Sequence, residues 1–171
     1  MTVQPSSDLK LFSRLMAITG ERDAFGIHSQ AYYQRAYELL GSHAAIFVAA
    51  LEGEELAALF AVALGKRATY LYGASSNTHR DAMPTYLIQW EAMRWAKGQG
   101  CIEYDLWGVP DASLETQEAE FTERTEGLWG VYRFKRGFGG ELRRSAGPWD
   151  RVYNRPLYNL YRWWAGRRGE G

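Results

Sequence analysis

Ala44-Ala-Ile-Phe-Val-Ala-Ala-Leu51 and Glu55-Leu-Ala-Ala-Leu-Phe-Ala-Val-Ala-Leu64, joined around Glu52-Gly53-Glu54, decide the fold. Both are apolar runs of strand length, free of proline and bounded by turn residues. A short glycine-containing connection between two such runs reads as a β-hairpin. Residues 67–73 make a third strand, with Tyr70 and Tyr72 on one face. Upstream, Ser7 is an N-cap for a helix over 8–19, whose apolar face is Leu11, Phe12, Leu15 and Ile18 and which Gly20 ends. Ser29 caps a second helix, with Tyr32, Tyr33, Ala36 and Leu40 inward and Gly41 as its stop. Downstream, Pro84 suits the first turn of a helix running to about Lys97. Leu87, Ile88, Ala92 and Trp95 form its core stripe, and Tyr86, Trp90 and Met93 a neighbouring one. Residues 101–107 read as a buried strand and 111–125 as a polar, acidic excursion. Residues 132–138 and 142–149 read as the last strand region, bent at 137–140. Pro156 starts a final helix through Trp164, and 165–171 is a frayed tail.

At 171 residues the chain is expected to form one domain. Seven Trp and eleven Tyr exceed what a core of this size needs, and amphipathic rings suit a cleft that is buried at one end and wet at the other. Net charge is zero but unevenly placed. Residues 101–130 carry eight acids against one Arg, and residues 131–171 carry ten Lys and Arg against three acids. The acidic run reads as a solvated face. In the basic third the cations alternate with aromatics, a pattern that suits a polyanion with stacking groups or an anionic membrane surface. The single cysteine, Cys101, excludes an internal disulfide and reads as a buried thiol. No apolar stretch approaches the ~20 residues of a membrane span, and the first residues lack the pattern of a signal peptide. The expected location is cytoplasmic, with peripheral membrane contact possible from that side. His28, His43 and His79 have no metal-like spacing, so neither a metal nor a Ser-His-Asp arrangement is expected.

Gly127-Leu-Trp-Gly-Val-Tyr-Arg-Phe-Lys-Arg-Gly-Phe-Gly-Gly140 mixes glycine, aromatic rings and cations in a way a plain core strand does not need. It reads as a ligand-facing loop and turn set against a strand. Four further motifs accompany it: Tyr104-Asp-Leu-Trp-Gly108, Tyr70-Leu-Tyr-Gly-Ala-Ser-Ser76, Glu21-Arg-Asp-Ala-Phe-Gly26 and Pro84-Thr-Tyr-Leu-Ile-Gln-Trp90. Together, over residues 11–164, they resemble the C-terminal half of the Fem (FemABX) peptidyltransferases. Those enzymes move an amino acid from aminoacyl-tRNA to the stem peptide of a peptidoglycan precursor. The element order α, α, β, β, β, α, β, loop, β, α is also the layout of an N-acyltransferase (GNAT) core. The expected fold is therefore α/β, a single GNAT-like domain with a mixed sheet flanked by helices. Fem proteins carry two such domains, so the resemblance implies a partner N-terminal GNAT-like domain.

The resemblance carries site residues with it. Phe134-Lys135 match the family's reaction-centre pair, in which Lys stabilises charge developing on the ester carbonyl; a fixed ammonium suits such an oxyanion. Tyr86 matches a position near the muramyl-peptide substrate, and Trp107 is grouped with it as substrate-binding. Arg80, in the polar loop before the helix at Pro84, offers bidentate contacts to a diphosphate. Arg133 and Arg136 flank Lys135, and in an extended backbone they point away from it, toward an anion or solvent. Asp105 is either a general base for the attacking amine or a structural acceptor of loop N–H groups. The implied partners are aminoacyl-tRNA and a UDP-muramyl pentapeptide or lipid-linked precursor, with no cofactor. Two other readings stand beside this one. In the first, the chain is an acyl-CoA-dependent GNAT acyltransferase. Against that reading, residues 74–83 lack glycine and Pro84 removes a donor where a pyrophosphate would sit. In the second, the chain is a non-catalytic module whose aromatic and basic surfaces bind a partner.

Overall fold

The computed structural model describes residues 1–147 and 149–166. The hairpin is where the sequence places it: β2 is Ala44–Leu51 and β3 is Glu54–Leu64. They are joined through Glu52 and Gly53, both at positive φ (53° and 89°), the geometry whose twist matches paired strands. β4, Arg67–Ser75, adds antiparallel to β3. β3 is central and covered on both faces, which is why Leu56 through Ala63 are all buried and read as one apolar run.

Helices cover the two faces. α1 (Leu9–Asp23) and α2 (Gln30–Leu40) pack Phe12, Leu15, Met16 and Tyr33 against Ile46, Val48, Ala58, Phe60 and Val62. On the other face α3 (Pro84–Gly98) sets Ile88 and Ala92 against Phe47, Ala49, Ala57, Leu59 and Ala61. Large side chains fill one layer, and small ones let α3 lie close on the other. After α3 the chain returns as β5 (Glu103–Asp105), parallel to β4, giving the mixed sheet β1-β2-β3-β4-β5.

Several expectations are corrected. The sheet gains an edge strand, β1 (Thr2–Ser6), which contains Pro5 and pairs only with β2; an edge tolerates the missing donor. Asp8, not Ser7, caps α1, its carboxylate accepting from the Lys10 and Leu11 amides. Gly20 does not end that helix. It is buried mid-helix, where a Cβ would strike Ile27, and Ala24 in the left-handed region makes the stop. Tyr32 is exposed while Tyr33 is buried. β5 is three residues long instead of spanning 101–107, and Cys101 is half-buried.

The largest correction is the 127–140 motif. Residues 132–138 are not a strand: Leu128–Arg136 is a helix, α5. Its buried residues Trp129, Tyr132 and Lys135 recur every three positions, a helical spacing that the aromatic composition obscured. The acidic excursion contains α4 (Leu114–Glu120), whose Glu118 accepts from Tyr132 and Arg136 of α5. Among the described residues of 142–149 there is no strand.

The chain divides into two compact units, Met1–Gly137 and Phe138–Gly171. The first holds the whole sheet and α1 to α5. The second holds α6 (Arg155–Gly166), which begins one residue before Pro156 and takes in Ala165 and Gly166 of the expected tail. Residues 167–171 lie outside the described residues. Within this unit Asn154 accepts from the Leu157 amide and the Tyr158 hydroxyl donates to Asp150. Leu157, Leu160, Tyr161, Trp163 and Trp164 are exposed. Among the described residues no helix is long and apolar enough to cross a membrane.

Candidate functional site

The site begins where the sheet opens. β4 and β5 pair only through Arg67, Ala68 and Thr69 against Glu103, Tyr104 and Asp105. Beyond Thr69, β4 continues to Ser75 on β3 alone. At the fork Ala61 pairs with Tyr70 and Phe60 with Tyr72, which leaves Leu71 as the extra residue of a β-bulge. Past it, a Cβ on Gly73 would overlap the Tyr70 phenol, so glycine is what lets that ring lie along its own strand. Burial pushes the Tyr70 hydroxyl up to about 12. From β5, Tyr104 donates to Gln89 Oε1 of α3 at 2.8 Å, and burial followed by Tyr70 raises its pKa further still. The Gln89 Nε2 has no partner among the described residues.

Lys135 of α5 reaches into this opening. The residue is 8% exposed. Its Nζ donates to the Gly108 carbonyl at 2.6 Å and stands 5.9 Å from the centre of the Tyr70 ring. Burial lowers its pKa to about 8, and the Asp105 carboxylate opposes that shift. An ammonium has three N–H donors, and Gly108 is the one acceptor it meets among the described residues. Two donors therefore remain for a ligand oxygen.

Phe134 meets Tyr86 of α3 edge-to-face at 4.9 Å, and Gly137 lies against the same Tyr86 ring. The structure thus brings Lys135 together with Asp105 and the Trp107-Gly108 turn, and Phe134 with Tyr86. Asp105 Oδ1 accepts from the Trp107 amide at 2.8 Å, the structural alternative of its two readings. Trp107 is exposed and holds φ at 67°. Arg136 is not turned away on a strand: it is bound to Glu118 at 2.6 Å and lies over Phe121. Arg136 and then Tyr132 hold Glu118 below the usual carboxylate range. Arg80 and Arg133 are exposed, and their guanidinium groups meet no acceptor among the described residues.

Tyr104, Gln89 and the Gly108 carbonyl are parts of the site that sequence reasoning missed. All three lie inside the motifs at 104–108 and 84–90, but no spacing assigns them to the site, since Tyr104 and Gln89 come together only when β5 folds beside β4. In the β4–α3 connection some backbone donors are committed within the protein. The amides of Ser75, Ser76, Ala82, Met83 and Tyr86 are taken by Thr19, Leu56, His79, Arg80 and Met83. Arg22 is likewise spent on the carbonyls of Ser75 and Ser76 and the side chain of Asn77. Among the described residues no cluster of His, Cys, Asp or Glu could hold a metal ion.

The model of the FemAB family matches residues 3–56 and 52–165, and the chain belongs to that family. The Lipid II:glycine glycyltransferase of Staphylococcus epidermidis (strain ATCC 35984) is 26% identical over 215 aligned positions, covering 89% of this chain and 50% of the relative. The crystal structure of FemX superposes with a TM-score of 0.79 at 24% identity, covering 93% of this chain and 55% of that one. A putative acetyltransferase from Agrobacterium tumefaciens str. C58 superposes at 0.62 with 14% identity, over 88% of this chain and 100% of its own. The fold is GNAT-like, as the element order led us to expect. The chain spans about half the length of the FemAB relatives it matches.

Proposed function

We propose that this chain is an aminoacyltransferase domain that passes an amino acid from the ester of a charged tRNA to an amine on the stem peptide of a peptidoglycan precursor. The observation that carries the reading is Lys135, a sheltered ammonium with two unused donors at the split in the sheet. In the step proposed, the acceptor amine adds to the ester carbonyl. The carbonyl oxygen becomes an oxyanion, toward which Lys135 directs an N–H. The C–O bond to the ribose then breaks, and the leaving oxygen takes the proton that the amine gives up. The products are an amide and free tRNA. A fixed donor at the oxyanion contributes on the order of 3 kcal/mol to such a step.

Phe134, one residue before Lys135 in the chain, packs on Tyr86, and Trp107 offers an exposed ring at the turn. These are the surfaces proposed for the acceptor, with Arg80 and Arg133 as free cations for phosphate. The glycyltransferase relatives support a lipid-linked acceptor, and the reading proposed has the reaction on the cytoplasmic side of a membrane. In this reading the chain corresponds to the second of two GNAT-like domains, and a first such domain completes the acceptor site.

The test is transfer of labelled glycine from glycyl-tRNA to lipid II by the full 171-residue chain, alone and with a FemAB N-terminal domain added. Label should enter lipid II, and Lys135→Ala should lower the single-turnover rate roughly 10²-fold. An unchanged rate removes Lys135 from the mechanism. Absence of transfer from both reactions overturns the proposed function.

A further inference from the structure

Between the end of β5 and α4 the chain makes a tight turn, Asp105-Leu-Trp-Gly108, which touches Lys135 at its last residue. Trp107 in that turn has φ of 67°, a region that bulky residues rarely occupy. The residue is 60% exposed, so packing does not hold it there. What holds it is the Asp105 carboxylate, whose Oδ1 accepts the Trp107 amide at 2.8 Å, a side chain closing a turn on the backbone two residues ahead. One residue on, the Gly108 carbonyl accepts from Lys135 Nζ at 2.6 Å. Carboxylate, amide, carbonyl and ammonium thus form one chain of contacts across the opening.

We propose that Asp105 is a positioning residue: by holding Trp107 in its left-handed turn it aims the Gly108 carbonyl, and through that carbonyl fixes where the Lys135 ammonium stands. The role rests on the reading of Lys135 given above, and it differs from that of a base. A base would take a proton from the attacking amine with the carboxylate itself; a positioning residue needs only an acceptor oxygen at that place. The charged and titratable groups that face Lys135 from the packed elements are Asp105 on β5 and Tyr70 on β4, with Tyr104 of β5 next to Tyr70 and Tyr86 of α3 against the neighbouring Phe134. Arg133, Arg136 and Tyr132 lie on its own helix, the last two bound to Glu118 of α4. Of these, Asp105 is the one that couples to Lys135 by charge.

Charge and position are separable because they move the Lys135 titration in opposite directions. Loss of the carboxylate charge alone lowers the pKa further. Loss of the turn frees the ammonium into water and raises the pKa toward the ordinary lysine value of about 10.4. The chain has four lysines, at 10, 66, 97 and 135, so the Lys135 side-chain resonance is assignable in ¹³C-lysine NMR by its loss in Lys135→Arg. Asp105→Asn keeps an acceptor oxygen and is expected to titrate below the native protein. Asp105→Ala is expected to titrate at least one pH unit above it. Asp105→Ala combined with Trp107→Gly is expected to return toward the native value, because glycine takes the left-handed turn unaided. In glycyl transfer to lipid II, Asp105→Ala should lose roughly tenfold or more in kcat with KM within about threefold, and Asp105→Asn should keep at least about a third of kcat. Equal loss of kcat in the Asn and Ala variants would make Asp105 a base and overturn the proposal. A titration shifted downward in both variants, or unmoved in Ala, would overturn it as well. The titrations need no turnover, so they decide this proposal even where the native chain transfers nothing and the function itself fails.

Discussion

Lys135→Met makes the pH dependence of folding stability a gauge of how the ammonium is held. Met keeps an unbranched apolar stem of similar length, so packing around α5 is retained. In the folded chain the ammonium has its pKa lowered from 10.5 to about 8; in the unfolded chain it titrates near 10.4. Between those values the unfolded state binds more protons, so the contribution of this group to stability rises with pH. Below about pH 8 the lysine is charged in both states and the destabilisation from burying it is fully present. A fall from 10.5 to about 8 corresponds to at most about 3 kcal/mol, and solvent reaching the ammonium reduces that to about 1–2 kcal/mol. Urea unfolding of both proteins at pH 7, 8, 9 and 10 gives the answer as a difference, in which every other titratable group cancels. The native protein is expected to gain about 1–2 kcal/mol on Lys135→Met between pH 7 and 10, mostly above pH 8. A difference flat to within about 0.3 kcal/mol, or falling with pH, would refute the buried ammonium and with it the sheltered oxyanion donor. Under the proposed function the same titration is expected to set an alkaline limit on transfer. Lysine loses its charge above about pH 8, so Lys135→Arg, which stays charged, is expected to lack that decline.

Three other outcomes are expected. Gly73→Ala should destabilise the fold by about 1–3 kcal/mol in calorimetric unfolding, with part recovered by adding Tyr70→Ala; an unchanged Tm would show that the Tyr70 ring does not lie over Gly73. Titration with acetyl-CoA up to about 1 mM should give no saturable heat, because residues 74–83 hold no glycine to close the backbone around a pyrophosphate and Pro84 removes a donor at the start of α3; a fitted Kd below that would restore the acyl-CoA reading. Binding of tRNA should weaken with salt through Arg133, Arg143, Arg144, Arg151 and Arg155, with Arg136 contributing less because Glu118 holds it. Replacing Arg133 and Arg155 by Ala should lower the log–log slope by about two, and an unaltered slope would remove the basic third from tRNA contact.

The fold was legible where burial writes a continuous signal. β2 and β3 are buried on both faces and show as apolar runs, and Ser29 announces α2 by capping it. β1 carried no such signal, since it is short, mostly exposed and contains proline. α5 was misread because its glycines and rings suggested a loop against a strand, whereas Trp129, Tyr132 and Lys135 keep a helical interval. Lys135 itself was found through its motif and not through any periodicity. Its environment could not be read at all: Tyr70 and Tyr104 are 34 residues apart and meet only through the parallel pairing of β4 with β5. The role of Arg136 turned on a partner, Glu118, which lies in a segment that reads as solvated acid.

The parallel joint between β4 and β5 is three residue pairs long, against eight in each of the two hairpin pairings that flank β3. Backbone opening in such a sheet proceeds as separate cooperative units, and the unit with the shortest ladder opens at the lowest free energy. The amides of Glu103, Tyr104 and Asp105 therefore exchange with solvent well before those of β2 and β3. Each such excursion carries Asp105 and Tyr104 away from β4 while the hairpin core stays closed. Asp105 and Tyr104 thus sit on the seam that opens first, so a protein can lose the arrangement around Lys135 while its melting temperature, set by the hairpin core, scarcely changes.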